Sequence, residues 1–134
     1  PYCVSTGVAL QPWSPLARGI LAGAYRGSLE GGTTNRSTGQ DRARTESLYR
    51  GEADFAIADR VTQLAESREC RPAQIAIAWL LSKPGVTAPV VGVSKVEQLH
   101  QLIEACSIEL SEEEIVHLEE LYRPVDNLLS LGTS

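Results

Sequence analysis

The sequence predicts an α/β protein built on a parallel sheet. Apolar strand-like runs and helical patterns follow one another as strand, loop, two helices, strand, two helices. The second strand, "TAPVVGV", is apolar throughout without alternation, as a parallel strand buried on both faces reads. Only two strands are visible, and a two-stranded parallel sheet has two open edges and no cover. The expectation is therefore the end of a larger parallel-sheet protein. The opening "PYCVSTG", which carries no methionine, agrees with it.

Each element has a local reason. Val8 to Trp13, "VALQPW", is a short apolar run that stops at a Ser-Pro turn. Gly23 to Ala53 is poor in apolar residues and rich in Gly, Ser, Thr, Arg and Asp, so it reads as a long loop. A structureless loop of that length marks a functional or a mobile segment. "ADFAIADRVTQLAESR" places Phe55, Ile57, Ala58, Val61, Leu64 and Ala65 largely on one helical face. "RPAQIAIAWLLSKPG" sets Pro72 in a first turn and is stopped by Lys83, Pro84 and Gly85. That helix is apolar almost all round, which predicts deep packing. After the second strand, "SKVEQLHQLIEAC" opens with a capping box of Ser94 and Glu97, and "LSEEEIVHLEELY" with one of Ser111 and Glu114.

Composition narrows the function. The 134 residues carry a net charge of −5 and no basic run, which argues against nucleic acid as a partner. No apolar run has the length of a membrane span, and no signal-peptide pattern opens the chain. Cys3, Cys70 and Cys106 are odd in number and widely spaced, as reduced, partly buried thiols of a cytoplasmic protein are. His100 and His117 stand without CxxC or HxxxH spacing, so no structural metal is expected.

Two strand ends stand out, because ligands of parallel α/β proteins bind beyond the carboxyl ends of strands. The first, "WSPLARG", brings Trp13, Ser14, Pro15, Leu16, Ala17, Arg18 and Gly19. A flat aromatic there either packs into the core or stacks on a planar ring. The second, "VGVSKVEQ", brings Gly92, Ser94, Lys95 and Gln98. Gly92 permits close backbone approach, the helix N-terminus offers unpaired N–H donors, and Lys95 adds a full charge. The same residues also describe a capped helix with a solvated lysine.

Taken together, "PWSPLARGILAGAYR", "RPAQIAIAWLLSKPGVTAPVVGVSKVEQLHQLIEA" and "IELSEEEIVHLEELY" resemble the C-terminal part of the aldo-keto reductase family, in order and in spacing. The middle loop, with "NRSTGQDRAR", resembles that of bacterial and fungal members of the aryl-alcohol-dehydrogenase-like branch. The resemblance implies a (β/α)8 TIM barrel whose last two strands, their helices and two extra helices lie in this chain. It makes Val8 to Trp13 the seventh strand and Ala88 to Gly92 the eighth. Asp54 to Arg68 and Glu112 to Tyr122 become the extra helices. It implies NADP(H) as cofactor and a small carbonyl compound as substrate.

Residue by residue, Trp13 matches the aromatic stacked on the nicotinamide. Ser14, Pro15, Leu16, Ala17, Arg18 and Gly19 match the loop around the pyrophosphate. Arg36 matches a basic residue of the long loop folded over the cofactor. Gly92, Ser94, Lys95 and Gln98 match the cluster around the adenosine ribose and its 2′-phosphate. The chain departs from the family at Gln101 and Leu102, where many members carry Glu-Asn to read the adenine. The family's catalytic Asp, Tyr, Lys and His belong to earlier strands, and no catalytic residue is expected in this segment. Tyr2, Tyr25, Tyr49 and Tyr122 lie outside that context, so the segment alone is expected to be inactive and to need the N-terminal part of the barrel. Two other readings remain open at this level: an NADP-binding regulatory subunit resembling potassium-channel β-subunits, and a helical interaction domain with no ligand.

Overall fold

A computed structural model describes residues 1–25, 39–49 and 51–124, with side chains from residue 42 onward in the second stretch. Six α-helices appear among them: α1 (Tyr2–Thr6), α2 (Gly39–Leu48), α3 (Glu52–Ser67), α4 (Pro72–Leu81), α5 (Val96–Glu104) and α6 (Glu112–Glu119). Short 3-10 segments cover Ala17–Ala22 and Ala105–Ser107.

The apolar helix α4 is central. Ile75 and Ile77 sit two residues apart, and so on opposite faces of the helix. Ile75 packs with Val61 and Ala65 of α3 and Leu118 of α6. Ile77 packs with Leu102 of α5 and with Ala105. A third cluster joins Ile20 and Tyr25 to Ala58 of α3. The expected apolar stripe of α3 is the buried one: Ala58, Val61 and Ala65 are buried, and Phe55, Ile57 and Leu64 half-buried.

The two predicted strands lie side by side and parallel, but as isolated bridges. Leu10 pairs with Val86 and Trp13 with Val90. The Leu10 N–H donates to the Gly85 carbonyl (3.0 Å), and the Thr87 N–H donates to the Leu10 carbonyl (2.9 Å). A regular parallel ladder would next take N–H groups from residues 12 and 89. Both are proline and have none. The Val90 N–H reaches the Pro12 carbonyl instead (2.8 Å), and the register slips by one residue. Among the described residues no further strand extends the pair.

Three sequence expectations need correction here. The span from Gly23 to Ala53 holds a helix, α2, in its described part. Its apolar content is low, and an Arg42–Glu46 ion pair one turn apart (2.6 Å) and the buried Thr45 support it. The box expected between Ser94 and Glu97 is displaced. Lys95 is the N-cap of α5, and Gln98 reaches back to it. The Ser111–Glu114 box forms as expected. The C-terminal helix is shorter than expected, closing at Glu119.

Charged contacts fasten α6 to the core helices. Arg68 grips Glu114 through both carboxylate oxygens (2.7 and 2.6 Å), and Arg60 pairs with Glu120 (2.8 Å). Glu119 accepts from the Trp79 indole (2.8 Å) and pairs with Lys83. The Arg68 hydrogen bonds hold the Glu114 carboxyl below its ordinary range, and Lys83, then Trp79, do the same for Glu119. A carboxyl depressed by folding contributes stability above its unfolded value and loses it as pH falls through the folded one. The melting temperature should therefore decline once pH drops below about 4.3, the ordinary carboxylate value. Circular-dichroism melts of wild type and Glu114→Gln check this. An acid limb equally steep in both would remove Glu114 from the account.

Candidate functional site

The first candidate loop is tightly wound. Ser14, Ala17 and Arg18 adopt positive φ (56°, 48° and 57°), a region where non-glycine residues carry strain. Gly19, at φ 102°, is the residue type that adopts this without penalty. The loop is closed by its own hydrogen bonds, Ala17 N–H to Ser14 O (3.0 Å) and Gly19 N–H to Leu16 O (2.9 Å). Arg18 donates through Nε to the buried Thr45 hydroxyl (3.0 Å), which ties the loop to α2. Pro15 is half-buried beneath this turn. Trp13 is 72% exposed, so its ring is a surface and not a core residue. Its backbone bridge to Val90 joins it to the second candidate segment.

In that second segment Gln98 is the organiser. Its side-chain oxygen accepts from the Ser94 N–H (3.0 Å), the Lys95 N–H (3.2 Å) and the Ser94 hydroxyl (3.2 Å). The capping duty thus falls on Gln98, and the exposed ammonium of Lys95 is left to project at the start of α5.

One cleft of about 500 Å³ gathers residues from both segments. Leu16 comes from the first, Gly92 and Gln98 from the second, and Gln101 and Leu102 follow on α5. The ends of α3 and α4 complete the wall with Glu66, Cys70, Arg71, Pro72 and Ala73. A side chain built on Gly92 would meet nothing within 4 Å, so no packing need excludes one there, and its absence keeps the cleft open. Trp13, Ser14, Pro15, Ala17, Arg18, Gly19, Ser94 and Lys95 do not line this cleft; they lie on the loops that flank it. Arg36 lies outside the described residues.

Sequence reasoning missed Cys70 and Arg71. Both stand at the α3–α4 junction, and only the packing of α5 against α4 brings that junction to the cleft. Burial pushes the Cys70 thiol up, which keeps it protonated near neutrality. Leu102 is 8% exposed and packs on Ile77 and Ala105, so the core accounts for an apolar residue there. No tyrosine lines the cleft. Tyr2 and Tyr122 are exposed, Tyr25 is buried among Ile20 and Ala58, and burial raises the Tyr49 phenol. Cys106 is exposed, unlike the partly buried Cys3 and Cys70. Among the described residues no helix is long and apolar enough to cross a membrane.

The model of the Aldo/keto reductase family matches residues 1–123. The chain belongs to that family. It is 41% identical over 126 residues to versiconal hemiacetal acetate reductase of Aspergillus parasiticus, covering 92% of this chain and 35% of that protein. It is 44% identical over 125 residues to a Schizosaccharomyces pombe protein named, provisionally, as an aryl-alcohol dehydrogenase, covering 93% and 34%. It is 38% identical over 122 residues to aldo-keto reductase AMT2 of Alternaria alternata, covering 91% and 31%. The chain thus spans about a third of the length of the curated relatives it matches.

Proposed function

We propose that this aldo/keto reductase chain is the C-terminal portion of a TIM-barrel, NADPH-dependent reductase of aldehydes and ketones, and that it supplies much of the cofactor site. The observation that carries the reading is the cleft shared by Leu16, Gly92 and Gln98. Leu16 is far in sequence from Gly92 and Gln98, and the family resemblance assigns all three to the same dinucleotide.

The residues fit such a group in kind. The open space at Gly92 leaves room for a ligand along the wall. The cleft wall mixes apolar surface with polar side chains such as Thr62, Gln98 and Gln101, which can orient a ligand. The exposed Trp13 ring offers a flat face for a planar ring. Lys95, fixed at the head of α5 by Gln98, brings positive charge for a phosphate at a helix N-terminus. When bound, the cofactor supplies the hydride. This chain's residues hold and orient it, and the proton donor belongs to earlier strands of the barrel. Gly23 to Ala53 forms part of the substrate rim. The branch resemblance and the reductase-named relatives favour an enzyme over a regulatory subunit.

At full native length, the protein should melt at a higher temperature with NADPH than without it, because a ligand of the folded state stabilises it. Lys95→Ala should weaken NADPH more than NADH. An unchanged melting temperature would sink the cofactor reading, and equal losses for both nucleotides would sink the role of Lys95. The 134-residue segment alone should not reduce an aromatic aldehyde with NADPH; turnover above a denatured control would contradict this.

A further inference from the structure

Resting on that cofactor reading, we propose that Thr45 of α2 is a positioning residue for the dinucleotide. Through Arg18 it holds the loop 14–19 in the strained shape that meets the cofactor.

That shape is costly by itself. Ser14, Ala17 and Arg18 take left-handed backbone angles, and Gly19 follows directly at φ 102°. Non-glycine residues keep such angles only where their surroundings over-determine them. Leu16 and Ala17 pack against the apolar clusters around Ile77 and Ile20. Apolar contact is non-directional, so it places the loop without fixing the angle of a residue. A hydrogen bond does have direction. The Arg18 Nε–H donates to the Thr45 hydroxyl oxygen (3.0 Å), from a helix 27 residues further along the chain.

The surroundings of Thr45 agree with that duty. Among the described residues the buried polar side chains are Gln74 and Thr45. Gln74 serves the head of α4, where it accepts from the Arg71 N–H and donates to Glu104. Thr45 has no exposed surface and sits in a helix of low apolar content, so its hydroxyl is buried where a hydrogen bond compensates it. The next turn adds an apolar contact. The Tyr49 N–H donates to the Thr45 carbonyl (3.0 Å), and the Tyr49 ring packs on the same cluster as Ala17. Burial raises the Tyr49 phenol and the Arg18 charge opposes that push, as a guanidinium beside this turn would. The end of α2 therefore braces the loop by one polar and one apolar contact.

Without the hydroxyl, the loop is released to shapes with ordinary angles at Arg18. Only the fraction that keeps the binding shape takes the dinucleotide, so apparent affinity falls by that fraction. Bound cofactor restores the shape, and turnover at saturation is kept. The loop matches the family's pyrophosphate loop, and both nucleotides carry a pyrophosphate, so NADPH and NADH lose alike.

Titration calorimetry and steady-state rates of the full-length protein test this on wild type, T45V and T45S. T45V keeps the volume and lacks the hydroxyl. It should weaken NADPH and NADH by the same factor, about tenfold, the scale of one hydrogen bond to a charged group. kcat at saturating NADPH should change less than about twofold, and T45S should recover most of the affinity. R18M removes the donor and leaves α2 intact, so adding T45V to R18M should cost no further affinity. Should T45V fail to fold, the equal loss for both nucleotides is read from R18M and the recovery from T45S. Affinity unchanged in T45V, a loss confined to NADPH, a T45S as weak as T45V, or losses of R18M and T45V that add would each overturn the role of Thr45 and leave the cofactor reading standing. A wild-type protein that binds neither nucleotide would overturn both.

Discussion

Replacing Ile75 by alanine should lower the stability of the protein by about 2 to 5 kcal/mol, the range for removing a buried aliphatic side chain. Ile75 has no exposed surface and stands where three helices meet, against Val61, Ala65 and Leu118. Two of those neighbours lie on α3 and one on α6, and both helices are held from other sides. Arg68 and Arg60 tether α6 to α3, and the Ile20 and Tyr25 cluster braces α3. The walls therefore collapse poorly into the vacated space, which puts the cost in the upper part of the range. Denaturant melts of wild type and Ile75→Ala check it, with Ile75→Val as the milder step at about 1 kcal/mol. A loss below 1 kcal/mol for the alanine variant would show that Ile75 is not the keystone of that contact.

Trp13→Ala should have the opposite character, a large effect on turnover with little on stability. The ring is mostly exposed, and its attachment to Val90 runs through the backbone, which alanine keeps. On the proposed function the ring orients the reactive end of the cofactor. Misplacement of that end by about 1 Å can cost roughly 10²-fold in rate. kcat/KM for an aldehyde should fall on that scale in the full-length protein. NADPH affinity should fall less, because the phosphate contacts lie elsewhere. Trp13→Phe, which keeps a flat ring, should restore most of the rate. Rates unchanged in Trp13→Ala would mean that the ring does not touch the cofactor.

The sequence made the helical core legible, and residue chemistry explains why. The periodic stripe of α3 and the all-round apolar run of α4 are both strong signals, and burial follows them. Ser111 and Glu114 form their box because both side chains can accept from backbone N–H groups. The box at α5 was misplaced because Ser94 and Glu97 have the right spacing, yet Gln98 captures both N–H groups from one residue further along. Helix α2 was hidden because "GQDRARTESL" has almost no apolar periodicity. Its supports, Arg18 to Thr45 and Arg42 to Glu46, are polar contacts, and the first is distant in sequence. The strands were legible in place and direction but not in continuity, since a propensity pattern does not count lost donors. Of the site, the loops could be read from motifs, but the share taken by Cys70 and Arg71 could not. It arises from the docking of α5 on the head of α4.

Pro12 and Pro89 have a consequence beyond register. An apolar strand pair with open rims invites foreign strands to add on, the first step of edge-to-edge aggregation. Here each of the two strands lacks a donor in its middle, and the one-residue slip puts the remaining groups out of step. The missing donors face the seam between the two strands, so the prolines weaken this pairing and leave the outer rims their own donors. The same prolines that shorten the ladder thus leave the two strands held together more by side-chain packing than by backbone hydrogen bonds.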